Sequence, residues 1–230
     1  MELEQALIQQ RVRGFHGDTL LWLGPVSEAT HATSRCMVKT RIFGHCEPRR
    51  AAGGLATIAT RTHCLPLPTN SVDGVVLHHV LEESEDPRRA IREVTRVIRP
   101  GGRLLICGFN PWSLWSARKT WAMLRRQRFR NLQAISPLRL HDWLAVLGFV
   151  RTGPVRYLNY RSTFPLQLEH PRWRQFSNWL NRVQAPLGGV YMILATKEEY
   201  SRVHGTPQRV EGHDIAPLTI PKPTARHFLD

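Results

Sequence analysis

The chain has 230 residues, 42% of them hydrophobic, and carries a formal net charge of +14. That is enough apolar material for one sizeable core, so one main domain with a tail is expected rather than two equal domains. No run approaches the roughly 18 apolar residues that a membrane span needs. The basic balance favours contact with something anionic, whether nucleic acid, membrane headgroups or an acidic carrier; a plain basic surface with a basic tail accounts for it too.

Met1 to Gln10 mixes Glu2 and Glu4 with Leu3, Leu7 and Ile8. It lacks a basic start followed by an apolar core, so no signal peptide is expected and the location is read as cytoplasmic. Cys36, Cys46, Cys64 and Cys107 have no C-x-x-C spacing, which fits free thiols in a reducing compartment. Leu3, Leu7 and Ile8 share one face of an expected helix from Met1 to Arg13, broken by Gly14 and Gly17. Thr19 to Leu23 is a continuous apolar run ending at Gly24, as a buried parallel strand reads. Met37 to Phe43 and Leu55 to Ala59 are two further strand candidates.

From Leu65 the pattern is cleaner. Val75-Val76-Leu77 is a buried strand within Val72 to Val80. Asp86-Pro87 opens a helix, with Pro87 in the first turn where its missing N–H costs nothing. Ala90, Ile91, Val94, Val97 and Ile98 line one face, and arginines and Glu93 the other. Pro100-Gly101-Gly102 stops the helix, and Arg103 to Cys107 is the next strand. Strand, helix, glycine turn and strand form a βαβ unit with parallel pairing. Beyond it come a basic, tryptophan-bearing helical stretch from Pro111 to Arg130, a helix starting at Ser136-Pro137, and late strands at Val155 to Tyr160 and Val190 to Thr196. Gly205 to Asp230 holds four prolines and little apolar periodicity, so a largely disordered tail is expected. The expected organisation is an N-terminal helix over 1–16, an α/β domain over 17–200 and a tail over 201–230.

The residues from Leu65 to Asn110 resemble a known family. Leu65-Pro66-Leu67-Pro68 with Ser71-Val72-Asp73-Gly74-Val75-Val76 is similar to the "LPF…SFDVV" segment of the methyltransferase type 11 group. His78-His79-Val80-Leu81-Glu82 with Asp86-Pro87 looks like the end of that group's fourth strand, and Glu93 to Gly102 is similar to its "E-x-x-R-V-L-K-P-G-G". Leu147-Gly148-Phe149 continues the likeness, and Gly108-Phe109-Asn110-Pro111 looks like the "GFNP" of a proteobacterial branch. The resemblance implies a Rossmann-like class I methyltransferase fold, α/β, with a seven-stranded, mostly parallel sheet and helices on both faces. It implies strand order 3-2-1-4-5-7-6, with Val190 to Thr196 as the antiparallel seventh strand. It also implies S-adenosyl-L-methionine (SAM) as cofactor, bound outside the carboxyl ends of the strands at the switch point.

Against the family's "V-L-D-x-G-x-G-x-G" loop, this chain keeps only Gly24; Trp22 stands at the acid, and Val26 and Glu28 at the later glycines. Arg61 falls where an adenine-binding acid is expected. The cofactor-binding candidates are therefore Gly24, the acid Glu47 about 20 residues further on, the main chain at Leu65, and His78. His78 and His79, at the carboxyl end of the fourth family strand, are the catalytic candidates, because imidazoles there orient an acceptor or take its proton. Loop or structural histidines are the competing reading. Asn110, Trp112 and Trp115 are candidates for an acceptor site or lid, and Glu82 and Glu83 are expected in a solvated turn.

The stretch over 112–130, with tryptophans amid Arg and Lys, suits an anionic membrane surface, and nucleic acid next; an ordinary amphipathic helix is the plainer alternative. The eleven histidines show no H-x-x-x-H or H-E-x-x-H spacing, so no metal is expected. Two functions stay open. One is a SAM-dependent methyltransferase acting on a small, lipophilic acceptor. The other is a non-catalytic methyltransferase-like module that binds a partner, an anionic membrane or RNA.

Overall fold

The computed structural model describes residues 2–45, 56–113, 134–158 and 188–199. The chain divides into Met1–Glu199 and Tyr200–Asp230, and the described residues all lie in the first unit. The tail expected over 201–230 and most of the basic stretch, 114–133, lie outside the described residues.

The helices are α1 (Glu2–Val12), α2 (Val26–Thr33), α3 (Pro87–Val97) and α4 (Pro137–Val146). The strands are β1 (Thr19–Leu23), β2 (Thr40–His45), β3 (Ala56–Ala59), β4 (Val72–His78), β5 (Ile98–Phe109), β6 (Phe149–Arg151), β7 (Arg156–Leu158) and β8 (Val190–Lys197). They form one sheet in the order β3-β2-β1-β4-β5-β8-β6, with β7 also on β8. The first five strands pair in parallel, and β8 runs antiparallel to β5. This is the implied order and the implied reversed strand. The count differs by one because the sixth family strand is split. Its two pieces, β6 and β7, pair with opposite ends of β8, and Gly153, at φ +94°, sits between them. The second strand candidate also shifts: Met37 is exposed and pairing begins at Thr40.

Alternation along the strands sends side chains to two cores. Leu21, Leu23, Val75, Leu77, Leu104 and Ile106 pack under α3 and α4. Leu20, Trp22, Val76, Leu105 and Cys107 pack under α1 and α2. Each helix starts or turns for a local reason. Asp86 caps α3 by accepting from the Arg89 N–H at 3.0 Å, and Ser136 caps α4 by accepting from the Arg139 N–H at 3.3 Å. Among the described side chains of α1 the buried positions are Glu4, Ile8 and Val12, one residue per turn. Two are aliphatic, Ile8 from the expected face and Val12 one turn on, while Leu7 is only partly buried. The third is a carboxylate.

The Glu93-x-x-Arg96 pair has a structural task. Arg96 donates to the carbonyls of Leu67 (2.9 Å) and Leu65 (3.1 Å) and to Glu93, while Glu93 accepts the Leu65 N–H at 3.3 Å. The loop leading into β4 is thereby clamped onto α3. Arg96→Ala is expected to cost about 2 kcal/mol, because several charge-assisted bonds end on carbonyls that have no equivalent donor; urea denaturation measures it, and a change near zero would refute the clamp. The hydrogen bond from Arg96 holds the Glu93 carboxyl below its ordinary range, against the opposing effect of burial and with help from the Leu65 N–H. A depressed folded value means the contribution is present above the unfolded carboxylate's pKa. It is lost as pH falls through the folded one. Arg96→Ala should therefore flatten the loss of stability on the acid side.

Candidate functional site

β1 and β4 are neighbours at the middle of the sheet, where the strand order reverses. Ligands of open α/β sheets bind at such a point, outside the carboxyl ends. Gly24 follows β1 and His78 ends β4, and they touch. A Cβ on Gly24 would lie 2.4 Å from the His78 carbonyl oxygen, and the residue has φ +136°. Only glycine fits both demands. Directly after it α2 begins, with Pro25 at the N-cap and no side chain capping its first N–H groups. The glycine-poor loop of the sequence is thus a tight turn straight into a helix.

Trp22 is fully buried on the α1/α2 side, its ring 5.4 Å from that of His78. Its Nε1 has no hydrogen-bond partner among the described residues. Where the family pattern has an acid, this chain has a large apolar ring. A carboxylate arrives from elsewhere. Glu4 Oε1 of α1 lies 3.1 Å from His78 Nε2 and 2.9 Å from His79 Nε2. His78 and Glu4 are buried, and His79 is nearly so, its ring stacked at 4.1 Å on Phe109. His79 also has φ 55°, a conformation that costs a non-glycine residue about 1 kcal/mol or more and is tolerated where the surroundings fix it.

Glu82 is the second carboxylate, 2% exposed rather than in a solvated turn, which corrects the expectation for it; Glu83 is exposed. Glu82 Oε1 accepts the Phe109 N–H at 2.5 Å and lies 4.0 Å from His79 Nδ1, while Oε2 has no partner among the described residues. The reason Glu82 turns inward is Gly108: a Cβ there would lie 2.8 Å from Oε1 and 2.7 Å from the Tyr191 hydroxyl. Burial, then the charge of Glu82, push the Tyr191 hydroxyl well above its usual pKa. Burial works against charge on His79, but the hydrogen bond to Glu4 and the nearby charges of Glu4 and Glu82 outweigh it and raise the ring to about 9. In this state His79 donates rather than abstracts a proton at neutral pH.

The other sequence candidates are placed as follows. Asn110 is buried and spent on local structure: its Nδ2 donates to Gly188 O at 2.9 Å and its Oδ1 accepts the Trp112 N–H at 3.1 Å. Trp112 is exposed, 74%. Leu65 keeps its main-chain N–H beside α3, engaged by Glu93. Arg61 is exposed, as a surface residue is. Glu47 and Trp115 lie outside the described residues. Sequence reasoning missed Glu4 and Glu82 as site residues. An acid at a core-facing helix position is the signal that was available for Glu4. A residue with glycine opposite it was the weaker one for Glu82.

Residues 39–106 match the family model described as a methyltransferase domain. The chain is 40% identical over 85 residues to the uncharacterized protein YafS of Escherichia coli (strain K12), covering 37% of this chain and 35% of that protein. It is 42% identical over 53 residues to the ubiquinone/menaquinone biosynthesis C-methyltransferase UbiE of Hahella chejuensis, covering 23% of this chain and 21% of that one. The matches thus span about a third or less of these relatives' length. A crystal structure of a SAM-dependent methyltransferase from Thermotoga maritima superposes with a TM-score of 0.61 at 16% identity, covering 86% of this chain and 90% of that chain. The sheet order and the superposition give the Rossmann-like fold also found in SAM-dependent methyltransferases, and within it residues 39–106 are similar to a methyltransferase domain.

Proposed function

We propose that the protein is a SAM-dependent methyltransferase acting on a small, lipophilic acceptor. The observation that carries this reading is the edge between β1 and β4. There Gly24 presents bare backbone, and α2 starts without a side-chain cap, inside a sheet of the methyltransferase order. Uncapped amides at a helix start suit a carboxylate such as that of SAM's methionine part. The fit is therefore through main chain, with Gly24 and the first turn of α2 holding the cofactor. When bound, SAM supplies an electrophilic methyl on a sulfonium. The chain's own part is to hold an acceptor in line beside His78 and His79. A lipophilic acceptor is supported by the likeness to a quinone-pathway C-methyltransferase. Calorimetric titration with SAM and S-adenosylhomocysteine should give a one-site isotherm; no heat at millimolar ligand would end this reading.

A second reading, a non-catalytic module for a partner, an anionic membrane or RNA, is favoured by one observation. Trp22 fills the acid's place with a buried ring. Methyl transfer from labelled SAM into any component of a cell extract would count against it. The exposed Trp112 and the basic stretch behind it are the natural contact surface under that reading.

A further inference from the structure

We propose that Glu4, His78 and His79 form a binding site for one divalent transition-metal cation. The three side chains each offer one ligand atom, and these atoms lie within 4.8 Å of one another. The two Nε2 atoms approach Glu4 Oε1 to 3.1 and 2.9 Å. Ligand atoms about 2.1 Å from a tetrahedral ion are themselves about 3.4 Å apart, so small outward movements admit an ion among these three. Two imidazoles and one carboxylate are a set that takes first-row cations such as Zn2+, whereas Mg2+ and Ca2+ prefer oxygen ligands. Three protein ligands leave a fourth position, which a water or a small ligand's oxygen or nitrogen fills.

Two further observations point the same way. Behind His79, Glu82 Oε1 stands 4.0 Å from Nδ1, on the far side of the ring from Glu4. A carboxylate behind a ligating imidazole orients it and strengthens it as a donor. The charges also match: Glu4 and Glu82 are both buried, and a dication with neutral imidazoles brings the group to zero. The positive φ of His79 is what turns two consecutive imidazoles toward one point. Successive residues of a regular strand would send them to opposite faces. A bound ion would tie α1 to the end of β4, beside Gly24.

The full chain, stripped with a chelator, should take up about one equivalent of Zn2+ in competition with a chromophoric indicator, with micromolar or tighter affinity and a raised Tm. Mg2+ should do neither. Glu4→Gln and His79→Gln should each weaken uptake by about 100-fold or more, and Glu82→Gln by about 10- to 100-fold. Failure of the wild-type chain to bind would overturn the site. So would uptake undiminished in Glu4→Gln, which would put the ion on other histidines. If the variants do not fold, Co2+ loading of the wild-type chain decides: strong visible bands of a four- or five-coordinate N/O site are expected, and a weak octahedral spectrum refutes it. The measurements use no SAM, so they stand or fall apart from the methyltransferase reading.

Discussion

Glu4→Ala should lower the unfolding free energy of the chelator-treated protein by about 3–5 kcal/mol, the usual loss when one partner of a buried ion pair is removed. Glu4 occupies a core-facing position on α1 and is 3% exposed, so its carboxylate is held to His78 and His79 away from bulk water. The imidazoles stay, Glu82 alone faces His79, and the desolvation cost is no longer offset. Ile8 and Val12 still hold α1 on the sheet, so the loss reports the polar contact rather than undocking of the helix. Equilibrium urea unfolding with two probes measures it. A loss below about 1 kcal/mol would mean that the carboxylate is not what keeps the two rings in place.

Gly24→Ala carries the second large effect. The added methyl would meet the His78 carbonyl oxygen at 2.4 Å and the His78 Cβ at 3.0 Å, on a backbone with φ +136°. Strain and overpacking together should cost about 3 kcal/mol. That neighbour is main chain of β4, which five parallel partners hold in register with β5 beyond its bulge, so it yields little. The same substitution should abolish binding of SAM, because backbone approach at this turn is what remains of the family's cofactor loop. Unchanged stability together with retained SAM binding would show that the turn relaxes freely and that Gly24 has no role in the site.

Much of the fold was legible locally. β4, α3 and β5 announce themselves because each carries its own signal: a continuous apolar run, a proline at the helix start behind a capping Asp86, and a one-face apolar pattern; but Ile98 to Gly102, expected as helix end and glycine turn, already belong to β5. The motif Glu93-x-x-Arg96 was legible as a family mark, but its work as a loop clamp depends on carbonyls at Leu65 and Leu67. The split of the sixth strand was not legible, since three-residue strands have too little pattern to announce a boundary.

By itself the sequence determined the α/β class, the parallel core and the edge on which His78 and His79 lie, because apolar runs, caps and glycine turns act over a few residues. Tertiary structure alone decided the composition of the site. Glu4 and His78 are 74 positions apart, and spacing rules for metal or catalytic groups read only near neighbours. Packing of α1 on the sheet brings that carboxylate to the end of β4, and the missing side chain of Gly108 lets Glu82 turn inward beside Tyr191. Tertiary structure also set the surroundings of Asn110, whose buried amide donates to the Gly188 carbonyl 78 positions away.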